Sequence, residues 1–173
     1  MKISLLLGTE NKGKIFELRY GLSSLPYLDI LTLSDIGLTL PAPSEDALTI
    51  EGNALKKATY YATQSGLLTL ADDTGLFIPA LNDYPGVKSA RIAPDDGGRC
   101  QLVLEKMSGQ PVGERSALFK AVLALYDPRK HEAYFAIGET KGEIASESSA
   151  VTGGSFGYDP IFFVPEMQKT YAQ

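Results

Sequence analysis

Four short segments of this chain gather residue types that can do chemistry. The first, Gly8 to Lys14, reads GTENKGK and fits the phosphate-loop pattern G-x-x-x-x-G-K. It follows an apolar run, Ile3–Leu7, and opens a helical pattern. Backbone N–H groups at a helix start attract anions, and Lys12 and Lys14 add positive charge, so phosphate is the natural ligand. The next residue is Ile15, where a phosphate loop needs Ser or Thr to hold Mg²⁺, so ordinary P-loop chemistry is not expected. The second segment, Asp72-Asp73-Thr74-Gly75, stands at the end of an apolar run, where catalytic groups of α/β folds collect. Neighbouring strand residues point to opposite sides, so the pair can face one cavity only if the chain turns there. One carboxylate would then bind a metal or activate water, and the other would brace the turn. A haloacid-dehalogenase nucleophile would need D-x-D-x-T, which D-D-T does not supply.

Ser44-Glu45-Asp46, with Glu51 nearby, is the third segment. Alone it reads as a solvated loop and an acidic helix start, but together with Asp73 it could complete a carboxylate Mg²⁺ site. The fourth, Ser155-Phe156-Gly157-Tyr158-Asp159-Pro160, sets two rings beside a glycine and a carboxylate. Such a group suits a nucleobase or ribose pocket, and equally a tight loop packed on its own rings.

Other chemistries are removed by composition. His131 is the only histidine and lies in a turn-like Asp127–Lys130 context; Cys100 is the only cysteine. A His-dependent triad, an N/S zinc site and a disulfide framework are therefore not expected, and any metal would be a hard cation such as Mg²⁺ or Mn²⁺ on carboxylates. A net charge of −5 argues against non-specific nucleic-acid binding. No stretch matches a signal peptide or a bilayer crossing, so a cytoplasmic protein with no membrane partner is expected.

The elements that must position these residues can be read from periodicity. Lys2–Leu7 and Leu28–Leu33 read as strands, and Gly13–Leu25 as a helix with Ile15, Leu18, Leu22 and Leu25 inward, stopped by Pro26. A second helix runs from a Thr49 cap to Gln64, with Gly66 as its stop. Leu67–Ala71 and Leu76–Leu81 read as strands on either side of the acidic turn, and Arg99–Met107 as a helix. Ala117–Tyr126 and Glu132–Thr140 form a predicted hairpin, and Ile161–Val164 a last strand. Helices early and a long hairpin late predict one α/β domain on a mixed, twisted sheet.

The order GTENKGK, TIEGNALKKA, LADDTGLFIPAL, PGVKSAR, GGSFGYDPIFF, KTYAQ resembles the inosine triphosphate pyrophosphatase family over essentially the whole chain. The resemblance implies an elongated mixed sheet flanked by helices, with an active-site cleft between two lobes. It implies a cytoplasmic homodimer that uses Mg²⁺ to convert ITP, dITP and XTP to the monophosphate and pyrophosphate. Thr9, Glu10, Asn11, Lys12, Gly13 and Lys14 would take the phosphates, Lys14 neutralising the leaving pyrophosphate. Asp73 would activate water and, with Glu45, hold the metal. Thr74, Phe156, Gly157, Tyr158 and Asp159 would contact the substrate. Glu10 stands where the family often has glycine. Family members also continue past the position of Gln173 into a segment with a Lys and a Ser-His-Arg that hold the base, so base discrimination has no assigned residues here. Two alternatives stay open: a pyrophosphatase for modified pyrimidine triphosphates, and a nucleotide-binding protein without catalysis.

Overall fold

The computed structural model describes residues 2–111, 113–150 and 157–173. Its described strands form one mixed sheet of eight, bearing out the α/β expectation. The elements are β1 (Ile3–Leu7), α1 (Lys12–Gly21), β2 (Leu28–Thr32), α2 (Ile50–Ser65), β3 (Leu68–Ile78), β4 (Tyr84–Gly86), α3 (Asp96–Lys106), β5 (Ser116–Asp127), β6 (Glu132–Ile144), β7 (Phe162–Val164) and β8 (Lys169–Thr170). The sheet order is β2-β1-β3-β5-β6-β7-β8, with β4 beside β3. β1 pairs in parallel with β2 and β3, whereas β4, β7 and β8 pair antiparallel with their neighbours.

The chain divides into two compact units, residues 1–73 with 122–137, and residues 74–121 with 138–173. In the first, the alternation of β1 separates two packing layers. Leu5 and Leu7 pack with Leu70 and with Ile15, Leu18 and Leu22 of α1. Leu6 turns the other way, onto Leu33 and Tyr61 of α2. The two helices therefore cover opposite faces of β1 and β3. In the second unit, Leu76 and Ile78 share a core with Val103 of α3, with Met107 just after it, with Ile144, and with Tyr158, Ile161 and Phe162.

Two expectations are corrected. The first helix ends at Gly21, not Leu25, because the Ser23 hydroxyl and amide both bond the Tyr20 carbonyl, and Leu25 N–H turns back to Leu22 O. The acidic segment is not a turn: β3 runs unbroken from Leu68 to Ile78. Two features favour a strand over a turn. Leu76, Phe77 and Ile78 pair with Gly86, Pro85 and Tyr84. Gly75 also admits a close neighbour, since a Cβ there would lie 3.0 Å from the Gly86 carbonyl oxygen and 2.7 Å from Phe77 Cε2.

Candidate active site

Because β3 is continuous through both acids, Asp72 and Asp73 project from opposite faces and meet different helices. Asp72 shares the face of Leu70 and meets α1, where Lys14 Nζ lies 2.5 Å from its Oδ2. Asp73 meets α2, where Lys57 Nζ donates to its Oδ1 at 3.3 Å. The same ammonium donates to Glu45 Oε1 at 2.9 Å, so Lys57 bridges the two proposed metal carboxylates. Asp72 thus braces no turn; it anchors the lysine of the glycine loop.

Local structure explains why Glu45, and not its neighbours, reaches this cluster. Asp46 and Ser44 both hold Lys56, at 2.5 and 2.8 Å, and Lys56 is exposed, so that pair faces outward. Glu45 takes the next lysine along α2, which faces inward. Glu51 stays in the first turn of α2. Asn53, one helical turn before Lys57, is fully buried, and its Oδ1 accepts from Ala47 N–H at 3.0 Å. That bond ties the acidic loop to the helix. Lys57 and Asn53 were not singled out from the sequence, although a signal existed. Ile50, Ala54, Ala58 and Tyr61 form the buried stripe of α2, and Asn53 and Lys57 fall within it, where polar residues need partners.

The electrostatics of the cluster follow from burial. Asp73 is only 6 % exposed. Burial raises its pKa above the ordinary 3.8, and Glu45 raises it further. Lys57, a nearby Asn53 amide and Lys14 pull it back only in part. Burial would lower the Lys57 pKa, but Asp73, Glu45 and Asp72 outweigh it and hold the ammonium above its ordinary 10.5. Both groups hold protons more tightly than when free. Among the described residues, Asp73 Oδ2, Asp72 Oδ1 and Asn53 Nδ2 are buried without a hydrogen-bond partner, which marks the cluster as polar and unfinished.

At the glycine loop, Asn11 caps α1, its Oδ1 accepting from Gly13 N–H at 2.9 Å and Lys14 N–H at 3.2 Å. Thr9 Oγ1 accepts from Asn11 N–H at 3.2 Å. The expected cradle of amides is therefore already satisfied by loop side chains, and an anion must displace Asn11 Oδ1 to use them. Glu10 and Lys12 are exposed, so the Glu10 carboxylate stands in solvent. Gly8 sits in a tight place: a Cβ there would lie 3.1 Å from both Tyr61 Cδ2 and Thr69 Cγ2.

The second unit holds the remaining predicted residues. Thr74 is half-buried on β3. Gly157 adopts a left-handed φ of 63°, its N–H donates to Asp96 Oδ2 at 2.7 Å, and its carbonyl accepts from Cys100 Sγ at 3.3 Å. Tyr158 is buried and donates from its hydroxyl to Ser89 O at 2.6 Å. Its ring is thus a structural plug, and burial pushes its pKa well up. Asp159 is half-buried, and Phe156 lies outside the described residues. His131 is exposed in a turn, with a 3.4 Å contact to the Tyr126 hydroxyl.

Comparison with known proteins decides the family. The Ham1 family matches residues 5–173. A dITP/XTP pyrophosphatase of Thermus thermophilus is 44 % identical over 99 % of this chain and 81 % of its own length. The chain belongs to the Ham1 family. A dITP/XTP pyrophosphatase of Geobacter sulfurreducens is 42 % identical over 98 % of this Ham1 chain and 84 % of its own length. Among solved structures, a HAM1 protein from Coxiella burnetii superposes with TM-score 0.85 at 37 % identity, covering 98 % of this chain and 86 % of that one. The Staphylococcus aureus Ham1 protein gives TM-score 0.84 at 32 % identity, covering 98 % and 85 %. The family resemblance drawn from the ordered motifs is borne out.

Proposed function

We propose that this Ham1 chain is a pyrophosphohydrolase that clears dITP, ITP and XTP by releasing the nucleoside monophosphate and pyrophosphate. The observation that carries the reading is the buried Asp73, bridged to Glu45 by Lys57 and holding its proton more tightly than a free carboxylate. The names of the relatives, dITP/XTP pyrophosphatases, supply the substrate class.

Water attacks the α-phosphorus, Asp73 takes the proton, and the bond from that phosphorus to the bridging oxygen breaks, releasing pyrophosphate. A carboxylate with a raised pKa is a stronger base than an ordinary one, which suits this step. Lys14, held at the start of α1 by Asp72, binds phosphate oxygens and offsets charge on the leaving group. Thr9 and Asn11, which already order the loop amides, release them to the polyphosphate. Thr74, Phe156, Gly157, Tyr158 and Asp159 contact the rest of the nucleotide, Tyr158 by fixing its loop and not by presenting its buried hydroxyl.

A divalent cation fits this donor set. Mg²⁺ takes one or two carboxylates with phosphate and water, and Asp73 and Glu45 are two carboxylates sharing one cation, with Asp73 Oδ2 buried and without a partner among the described residues. Mg²⁺ or Mn²⁺ held there would acidify water and neutralise phosphate charge. A homodimer in a reducing cytoplasm fits the reading; Cys100 is a free, buried thiol, and no described helix is long and apolar enough to cross a membrane.

A pyrophosphate-release panel tests the proposal. With Mg²⁺, dITP, ITP and XTP should turn over much faster than ATP, GTP or methylated pyrimidine triphosphates. Fastest turnover of a modified pyrimidine triphosphate, or nucleotide binding with no pyrophosphate released, would overturn it.

A further inference from the structure

We infer that Lys57 is a built-in cation that holds the metal position in the free protein, so that metal and triphosphate bind as a coupled pair. The inference rests on the proposed metal role of Asp73 and Glu45. Lys57 Nζ stands 2.9 Å from Glu45 Oε1 and 3.3 Å from Asp73 Oδ1, in the gap that a cation shared by those oxygens would occupy. Its side chain is 12 % exposed and rises from the middle of α2, where Asn53 and the flanking Ala54 and Ala58 are buried. The lysine therefore cannot leave by moving its helix; only its side chain can swing.

The anions within reach are spoken for. Asp72, which also attracts Lys57, lies on the opposite face of β3 and holds Lys14 at 2.5 Å. Three carboxylates against two ammoniums leave the cluster one negative charge, from Glu45, Asp72 and Asp73 against Lys14 and Lys57. A divalent ion alone must break both Lys57 ion pairs, strand a buried ammonium and invert the local charge. Stranding a buried charge is among the costlier events in a protein. A triphosphate arriving with the metal changes the balance, since it brings excess anionic oxygens that can take the displaced ammonium. Each ligand then favours the other by the same factor, as linkage requires. In the free protein the lysine keeps the two carboxylates together, so that their mutual repulsion does not open the site.

The prediction concerns binding, and its readouts do not involve turnover. Isothermal titration of MgCl₂ into the nucleotide-free protein should show weak binding. Inorganic tripolyphosphate, with free Mg²⁺ held constant by buffering, should tighten it by about tenfold or more, within the usual range of coupling between sites. Lys57→Met should bind Mg²⁺ alone at least about tenfold more tightly than the wild type and lose most of the coupling. Lys57→Arg, which keeps the charge, should retain weak Mg²⁺ binding. Absence of coupling in the wild-type protein, a reading that needs no variant, overturns the inference, as does equal or weaker Mg²⁺ binding by Lys57→Met. Adding Asp73→Asn and Glu45→Gln to Lys57→Met should abolish the tight binding. Tight binding that survives their removal shows that the metal lies elsewhere, and so locates the failure in the metal assignment.

Discussion

Asp73→Asn separates a catalytic base from a structural ion-pair partner, because the two roles predict opposite effects on stability. If Asp73 were mainly a structural partner of Lys57, removing one side of a buried pair would cost about 3–5 kcal/mol. For a chain of this size that lowers Tm by roughly 6–20 °C. The geometry argues otherwise. Lys57 keeps its shorter partner, Glu45 at 2.9 Å, when the 3.3 Å contact to Asp73 is lost. The raised pKa fixes the sign for Asp73 itself. Between the ordinary carboxylate value and the raised one, the folded protein binds a proton that the unfolded chain does not hold. The contribution of Asp73 to stability is therefore fully present below pH 3.8 and is lost as pH rises through the raised pKa. Asparagine keeps the shape and, like the protonated acid, carries no charge that must be buried. The expected result near pH 8 is a Tm no lower than wild type, together with a kcat for dITP reduced by about 10²–10⁴. That loss is about 2.7–5.4 kcal/mol of barrier at 1.36 kcal/mol per decade. Pyrophosphate release at saturating dITP and a thermal melt of the same preparations decide the matter. Activity above about a tenth of wild type refutes the base assignment. A Tm drop in the structural range refutes the electrostatic reasoning even if activity is lost.

Three further outcomes follow from contacts elsewhere. Lys14→Met leaves Asp72 buried opposite α1 without its cation, so stability should fall by about 3–5 kcal/mol in urea melts. Asp72→Asn in the same background should recover most of that loss, although phosphate binding stays weak; no recovery would mean that the pair is not the source. Tyr158→Phe strips the donor from the buried Ser89 carbonyl and should cost about 1–3 kcal/mol by chemical denaturation, while an unchanged midpoint would show that the carbonyl has another partner. Burial pushes the Cys100 thiol up to about 11, so iodoacetamide at pH 8 should label the native protein far more slowly than the unfolded chain. Equal rates would contradict the packing around α3.

The parts of this fold that were legible in the sequence are those where a local signal and the tertiary contacts agree. Thr49 caps α2 by accepting from Gly52 N–H, and Gly66 ends it at φ 70°, as the side-chain chemistry of those residues predicts. The acidic pair was misread because Asp and Gly are poor strand formers, so DDTG reads as a turn. Tertiary pairing with residues 84–86 overrode that local preference. The proposed roles of Asp73 and Glu45 follow from the family resemblance, whereas the local sequence around Lys57 and Asn53 carries no motif. A lysine and an asparagine on a helix are ordinarily solvated. Here they share the stripe of Ile50, Ala54, Ala58 and Tyr61, and a polar residue on a buried stripe was the available signal.

The continuity of β3 has a chemical consequence that a turn would not have. Two adjacent acids on a turn could crowd one cavity, and each would oppose the ionisation of the other. On a strand they are assigned to opposite faces at no cost in sequence length, and each acquires its own lysine from its own helix, Lys14 from α1 and Lys57 from α2. The glycine loop and the acidic loop are thereby referenced to the same two residues of one strand. Lys14 is fixed relative to Asp72, Glu45 relative to Asp73 through Lys57, and the strand fixes the acids relative to each other. Ile15, which cannot bind a metal, is free to pack against Leu5 and Leu7 because the carboxylates stand elsewhere. The loop could thus offer Lys14 to phosphate without the hydroxyl of a P-loop, since its metal partner would be carried by Asp73 and Glu45.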